Sequence, residues 1–373
     1  MTRPTPRSGA SGTTVDELRT ALASVGPLDA AAMAAAQRHL DRLTKPPGSL
    51  GRLEALAATL AGITSRVDAQ VDRRAIVLAA GDHGVARNGV SAYPAEVTAQ
   101  MVANFVAGGA AVNMLARAVG ARLLVVDVGV AGPIPGLDPA GTGKGGPLIQ
   151  ARVRAGTGDM TVEPAMTRSE AVAAVDVGRR IVTGLRTDGI DLLAVGEMGI
   201  GNTTAASALA AVFTGAGVEA VTGRGTGLDD QGRRRKIDAI ERALALHAPS
   251  PADPIGALSA VGGLEIAALV GVIVEAVLAR IPVVLDGFIT GAAALVATAI
   301  EPSIAPRLIA GHRSAEPGHA IVLEHLGLRP ILELDLRLGE GSGAALAMAI
   351  IAAAVAVRDG MATFDDAGVA GPA

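Results

Sequence analysis

Short apolar runs recur along the chain, and each ends in a polar or glycine-containing loop. Continuous apolar runs of this length are typical of strands buried on both faces of a sheet. They cover residues 75–80, 122–128, 191–195, 282–285, 307–310 and 330–335. Longer segments with helical patterning lie between them, at 95–119, 168–187, 203–212 and 260–279. Strands that alternate with helices in this way predict an α/β fold, a parallel sheet with helices on both faces.

The two ends of the chain differ from this central pattern. Residues 1–14 are rich in Ser, Thr, Pro and Gly, which predicts a disordered leader without a secretion signal. Residues 15–70 read as two helices joined by a polar break, the helical part of a small subdomain. We expect a large α/β domain over 71–340, then a C-terminal helix and tail over 341–373.

A second irregular region lies inside the large domain. Residues 130–162 are dense in Gly and Pro, which predicts a long excursion or lid between elements.

Composition and charge exclude several classes of function. Aromatic residues make up 1% of the chain and Trp is missing, so stacking platforms for nucleic-acid bases are lacking. The formal net charge of -4 gives no general attraction for nucleic acid or anionic membranes. The chain has no Cys, so disulfides, thiolate zinc sites and a cysteine nucleophile are excluded.

The most apolar stretches do not predict a membrane span. Residues 261–285 are interrupted by charged side chains and a proline, and residues 344–357 are shorter than the roughly 20 residues that a span needs. We therefore expect a cytoplasmic protein with no nucleic-acid partner.

Ligands of parallel α/β sheets bind beyond the carboxyl ends of the strands, so the loops after the apolar runs carry the candidate chemistry. One loop brings Gly199 and Gly201, then Asn202 and Thr203, to the start of a helix. Unpaired N–H groups at such a helix start favour phosphate. Asn and Thr are also ordinary helix caps, so the phosphate and capping interpretations both stay open.

A second glycine-rich turn contains Gly225 and Gly227 and precedes the basic run Arg233–Lys236. A charge run of this kind is typical of a solvated helix face, although Lys236 has the reach to contact a phosphate. Asp229 and Asp230 resemble the acidic pair of magnesium-dependent phosphoribosyltransferases. No apolar strand precedes them, which weakens that interpretation.

A third loop places Glu340 between glycines, just before the apolar helix 344–357. A carboxylate there complements the helix dipole, or it takes a proton from a ring nitrogen in a site that excludes water. Both interpretations fit the residues.

Three histidines that follow apolar runs, His83, His312 and His319, raise the question of a metal centre. They lack the helical i, i+4 spacing of a metal pair, and the chain has no Cys. We predict no metal, and hydrogen-bonding or core roles for these histidines.

Several long segments stand out when they are taken together: 44–54, 81–85, 91–98, 196–204, 225–227, 286–288 and 337–344. Together they resemble the nicotinate-nucleotide:dimethylbenzimidazole phosphoribosyltransferase family. The resemblance extends over about residues 43–358, and long motifs in the right order are more specific than any short pattern.

This resemblance implies a Rossmann-like parallel sheet, a small helical subdomain built from both chain ends, and a homodimer. The implied reaction transfers the phosphoribosyl group of nicotinate mononucleotide to a benzimidazole-type base in cobalamin lower-ligand assembly, and it requires no cofactor. Matching the family's motifs makes Glu340 the general base. The residues implied around the ribose phosphate are Glu197, Lys236 and Ser314, and those implied at the base are Ser91, Tyr93 and Gln100.

Two rival functions remain open from the sequence alone. One is a magnesium-dependent transferase that uses phosphoribosyl pyrophosphate, with Asp229 and Asp230 as its acidic pair. The other is a non-catalytic nucleotide-binding or regulatory module that kept the pocket.

Overall fold

A computed structural model describes residues 15–136 and 146–370 of the chain. The expected leader 1–14 and part of the Gly- and Pro-rich segment lie outside these residues. The helices are α1 Val15–Ala23, α2 Ala30–Asp41, α3 Arg52–Thr64, α4 Val97–Ala107, α5 Ala111–Ala118, α6 Arg168–Thr187, α7 Asn202–Thr214, α8 Val218–Val221, α9 Asp230–His247, α10 Pro254–Val261, α11 Leu264–Leu278, α12 Phe288–Ile300, α13 Pro317–His325, α14 Ser342–Gly360 and α15 Phe364–Ala367. The strands are β1 Arg74–Gly81, β2 Ala121–Gly129, β3 Leu148–Gln150, β4 Leu192–Met198, β5 Val283–Leu285 and β6 Leu308–Ala310.

The six strands form one sheet in the order β3-β2-β1-β4-β5-β6, and every neighbouring pair is parallel. This is the Rossmann strand order, so the predicted fold class is confirmed. From β1 the chain first adds β2 and β3 on one side, and then returns to add β4 on the other. The crevice at such a switch point, here between the ends of β1 and β4, is where ligands of this architecture bind.

Helices cover both faces of the sheet because alternate residues of each strand enter different cores. Val77 and Ala79 of β1 join the core formed with α6, α7, α11 and α12. Ile76 and Leu78 join the core formed with α3, α4, α5 and α14. The second core thus links the sheet to helices from both ends of the chain.

The two chain ends also meet directly. Helices α2 and α3 pack against each other, and α14 packs against α3. Leu43 and Thr363 form an antiparallel bridge, and the amide of Thr44 donates to the carbonyl of Ala362 at 3.0 Å. These contacts join α2 and α3 to the C-terminal helix, as expected, whereas α1 packs against α11 and α12 in the other core.

The expected strand over residues 330–335 is wrong. Only Leu332 forms an isolated parallel bridge there, to His312. Residues 330–335 are half-buried or exposed, so their apolar side chains do not enter a two-faced core. Conversely, β3 was not predicted, because three residues inside a Gly- and Pro-rich segment are too few to show a pattern.

Several helix boundaries also differ from the prediction. Residues 15–70 form three helices, because Gly26 and Pro27 separate α1 from α2. The segment 95–119 forms two helices, since α4 ends at Gly108 with a φ of +86°, in the left-handed region. Helix α14 has 19 residues and is longer than expected at both ends.

Two helical segments are long and apolar enough to cross a membrane by length and composition alone, Val97–Ala118 and Ser342–Gly360. Half of each is buried inside the fold, and the first is interrupted between α4 and α5. Core helices have the same composition, so the two segments are weak evidence for a membrane span.

Candidate active site

The turn after β4 lies at the switch point of the sheet. Gly199 packs so closely on β1 that a Cβ there would lie 2.2 Å from the carbonyl oxygen of Gly81. Gly201 caps α7 with a φ of +95°, a conformation that glycine adopts readily. The amide of Ile200 donates to Thr98 Oγ1 at 3.1 Å. The turn is therefore held by β1 and α4, and it presents the first residues of α7 to the crevice.

Lys236 lies behind this turn rather than on a solvated face. Its side chain is fully buried on α9, and its Nζ donates to Thr203 Oγ1 at 2.8 Å. Burial lowers the pKa of Lys236 to about 8, while the nearby Glu316 carboxylate partly opposes this shift. The exposed part of the basic run consists of Arg234 and Arg235.

The neighbouring aspartates have structural roles. Asp229 caps α9 by accepting from the amide of Gly232 at 2.7 Å. Asp230 pairs with Arg224. Both carboxylates are thus engaged within the turn and the helix start.

The loop that carries Glu340 has an unusual backbone. Gly339, Glu340 and Gly341 have φ values of +80°, +63° and +81°. A residue other than glycine in this region costs roughly 1–3 kcal/mol and is found where the surroundings over-determine the backbone. The loop rests on Gly196 of β4, where a Cβ would lie 2.5 Å from the amide of Gly341.

Glu340 has the electrostatics of a base that works near neutral pH. Its side chain is 5% exposed, and its Oε2 has no hydrogen-bond partner. Burial raises the pKa of Glu340 to about 7, and the charge of Asp286 adds to the shift. A carboxyl with this pKa is a stronger base than an exposed one and is still half ionised at pH 7.

Glu197, near the end of β4, lies in the same group of buried carboxyls. Its Oε2 accepts from Asn202 Nδ2. Burial raises the pKa of Glu197 well above its ordinary value, with further contributions from Asp286, Glu265 and Glu340. The negative charges of these three carboxylates thus disfavour the ionisation of Glu197.

These loops line a shared cleft of about 90 Å³. The end of β4 contributes Glu197, and the turn after it contributes Gly199, Asn202 and Thr203. The second glycine-rich turn contributes Gly225. Leu338 and Gly339, directly before Glu340, form another wall, with Ser314 beside them. Predicted residues from three separate loops thus line one cleft. The predicted base Glu340 follows Gly339 in the chain and is not among the described lining residues.

Other predicted residues lie around this cleft. Gly227 lines an adjoining cleft of about 780 Å³. The hydroxyl of Ser91 lies 3.4 Å from Thr226 Oγ1, at the second glycine turn. Tyr93 and Gln100 are exposed and do not belong to the described lining of either cleft.

His83 and His319 have hydrogen-bonding partners, whereas neither ring nitrogen of the buried His312 has one among the described residues. His83 Nε2 lies 2.7 Å from Glu265 Oε1 in a buried pair. His319 Nδ1 accepts from the amide of Ser314 at 2.9 Å, and burial lowers the pKa of His319 to about 3. His312 Nε2 is 3.6 Å from Asp286. Residues 15–136 and 146–370 contain no group of three or more His, Asp or Glu that could hold a metal ion.

Sequence reasoning gave no role to three buried acids near the cleft, Asp286, Glu265 and Glu316. Asp286 stands after an apolar run, which is a signal of its position, but its partners come from a distant loop. Glu265 lies inside an apolar helix, where a buried charge signals a specific partner, here His83. The pattern along the chain does not identify either partner.

Comparisons with known proteins match this architecture. A family model described as phosphoribosyltransferase matches residues 25–369. The nicotinate-nucleotide–dimethylbenzimidazole phosphoribosyltransferase of Desulforudis audaxviator is 53% identical over 95% of this chain and 98% of its own. The protein of the same name from Chloroflexus aggregans is 53% identical over 92% of this chain and 96% of its own.

Solved structures give the same result. The crystal structure of CobT from Thermus thermophilus superposes with a TM-score of 0.86 at 48% identity, covering 92% of this chain and all of the other. Because the family model and these relatives match nearly the whole chain, the chain belongs to the nicotinate-nucleotide–dimethylbenzimidazole phosphoribosyltransferase family.

Proposed function

We propose that this chain transfers the phosphoribosyl group of nicotinate mononucleotide to 5,6-dimethylbenzimidazole or a similar base, giving α-ribazole 5'-phosphate and nicotinate. This reaction prepares the lower ligand of cobalamin. The observation that carries the proposal is the shared cleft, which has a glycine turn at a helix start on one side and the loop of a buried, unpaired carboxylate on the other.

Glu340 acts as the general base. One ring nitrogen of the benzimidazole attacks the anomeric carbon, while Glu340 takes the proton from the other nitrogen. The bond from the anomeric carbon to nicotinate breaks, and nicotinate keeps the electron pair. The leaving pyridinium is already positive, so its departure neutralises it and requires no protonation. Attack from the opposite face converts the β-nucleotide into an α-linked product.

The turn from Gly199 to Thr203 holds the ribose phosphate. N–H groups at the start of α7 attract the anion, and Lys236 adds a buried positive charge next to Thr203. Ser314 and Gly225 close the same site. Glu197 borders the cleft beside this turn. Binding energy from this remote anion fixes the position of the reacting carbon.

The chemistry above does not depend on where the base binds, on the oligomeric state or on the domain boundaries. We place the base near Ser91, Tyr93 and Gln100 on the strength of the family resemblance. We further propose a homodimer located in the cytoplasm, with the domain boundaries near residues 70 and 340.

The direct test incubates the chain with nicotinate mononucleotide and a panel of bases. Mass analysis is expected to show one nicotinate released for each ribazole phosphate formed, and proton NMR is expected to show the α linkage. Turnover that requires phosphoribosyl pyrophosphate and stops with a chelator would support the magnesium-dependent rival instead. Nucleotide binding without nicotinate release would support the non-catalytic module.

A further inference from the structure

We propose that Asp286 is a positioning residue of this reaction, whose carboxylate holds the loop of residues 339–343 so that Glu340 stands beside the cleft. The inference rests on the proposed function, in which Glu340 is the base. Neither the sequence motifs nor the family comparisons gave Asp286 a role.

Asp286 connects two distant parts of the chain. It directly follows β5, and its side chain is buried, with 1% of the residue exposed. Its Oδ2 accepts from the amide of Gly341 at 3.1 Å. Its Oδ1 accepts from the amides of Gly343 at 2.7 Å and Ala344 at 3.0 Å. One carboxylate thus satisfies three backbone donors that begin with the residue after Glu340.

These bonds act on a backbone that is strained. Glu340 has a φ of +63° between two glycines that are also in the left-handed region. A residue keeps such a conformation only where its surroundings over-determine it. Ser342 supports the loop from the other side, since its Oγ donates to the carbonyl of Gly339 at 2.8 Å. The three bonds to Asp286 fix the opposite end, where the loop enters α14.

Asp286 also sets the electrostatic surroundings of the base. Asp286, after β5, is the charged group that acts on Glu340, and Glu340 itself acts on Glu197 of β4. Two further ionisable groups lie one step away, because Glu265 of α11 acts on Glu197 and His312, after β6, lies 3.6 Å from Asp286. Of these, Asp286 has the charge that adds to burial in raising the pKa of Glu340. Removing this negative charge lowers the pKa of Glu340, so the base ionises at lower pH.

Two substitutions separate position from charge. Asp286→Asn removes the charge and turns one acceptor into a donor, whereas Asp286→Glu keeps the charge and displaces the loop. We expect both to lower kcat by about tenfold or more, with the affinity for nicotinate mononucleotide within about twofold of wild type. Only Asp286→Asn should move the acidic limb of the kcat/KM profile to lower pH. A wild-type kcat in either folded variant overturns the proposal.

Asp127→Asn is the matched control. Asp127 is also buried at a strand end, and its Oδ1 accepts from the amide of Val130 at 2.8 Å. The change lowers stability by losing a buried charge-assisted bond, as Asp286→Asn does. Asp127 lies outside the described lining of the cleft, so Asp127→Asn should not move the acidic limb of the kcat/KM profile. If the acidic limb shifts as much in Asp127→Asn as in Asp286→Asn, the shift is an effect of general destabilisation, and the inference is refuted.

A double-mutant cycle with Glu340→Gln shows whether Asp286 acts through the base. If it does, Asp286→Asn causes little further loss of single-turnover rate in the Glu340→Gln background. The same fold loss in both backgrounds overturns the role of Asp286 while leaving the proposed function intact. Full activity of Glu340→Gln by itself would instead refute the proposed base.

Discussion

Glu340 combines two features that side chains ordinarily avoid, a left-handed backbone and a buried carboxylate oxygen without a partner. The sequence predicted its neighbourhood, because glycines on both sides leave room for a strained turn. It did not predict the raised pKa, since that depends on burial and on Asp286, which folding brings to the loop. Local pattern thus points to the residue, and tertiary structure gives it the raised pKa that the proposed base requires.

The pKa of Glu340 predicts where activity falls at low pH. The carboxyl must be ionised to accept a proton, and its pKa is raised from 4.5 to about 7. The acidic limb of kcat/KM, which reports on the free enzyme, is therefore expected near pH 7. Initial rates over about pH 5 to 9 measure it. A limb near the ordinary glutamate value would show that burial does not control this base.

The lowered pKa of Lys236 predicts a second pH effect, a weaker binding of the nucleotide at high pH. Its pKa is lowered to about 8, so the ammonium loses its charge above that pH and the attraction for phosphate weakens. Titration calorimetry should show weaker binding of nicotinate mononucleotide at about pH 9 than at about pH 7. Lys236→Ala should bind nicotinate mononucleotide weakly at both pH values. Arg234→Ala, on the exposed face of the same helix, serves as the control and should bind like wild type.

At the scale of elements, the apolar runs predicted five of the six strands, because strands buried on both faces have few polar positions. The pattern failed where burial was incomplete or the element was short. Residues 330–335 have the composition of a strand but lie half-exposed beyond β6, and β3 has only three residues. The helix α6 matched its expected bounds, and in the structure a capping box formed by Thr167 and Glu170 fixes its start.

The contact between β4 and the loop of residues 339–343 gives an element-scale prediction. A Cβ at Gly196 would lie 2.5 Å from the amide of Gly341 and 2.7 Å from the carbonyl carbon of Glu340. Gly196→Ala is therefore expected to displace the loop and to lower kcat by about a hundredfold, the scale of a displacement of about 1 Å. Steady-state kinetics measures the loss.

Gly184→Ala is the control for this substitution. Gly184 lies within α6, and nothing stands within 4 Å of a Cβ built there. The change should leave kcat unaltered and raise stability by roughly 0.5–1 kcal/mol, because alanine is the better helix former. Unaltered kcat in Gly196→Ala would show that the loop position does not limit the reaction.

At the scale of the whole molecule, the site forms because parallel strands end at one edge and the order in which strands are added reverses between β1 and β4. The alternation of strands and helices was enough to predict that edge. It was not enough to predict that α14, near the C-terminus, packs against both the N-terminal helix α3 and the sheet. That packing places a loop near the end of the chain beside a turn from its middle.

The homodimer is a prediction at this scale. Light scattering coupled to size-exclusion chromatography is expected to give a mass near twice the 37.0 kDa of the chain. Tyr93, Leu334 and Leu338 are exposed apolar side chains, and an interface would bury surface of this kind. A mass of one chain at micromolar concentration would contradict the prediction.

The turnover of Glu340→Gln tests the central claim most directly. The glutamine keeps the shape of the side chain and cannot accept the proton from the benzimidazole. With nicotinate mononucleotide and 5,6-dimethylbenzimidazole as substrates, kcat is predicted to fall by about a hundredfold or more, with nucleotide affinity within about twofold of wild type. Turnover equal to that of wild type would contradict the account, because it would show that another group takes the proton.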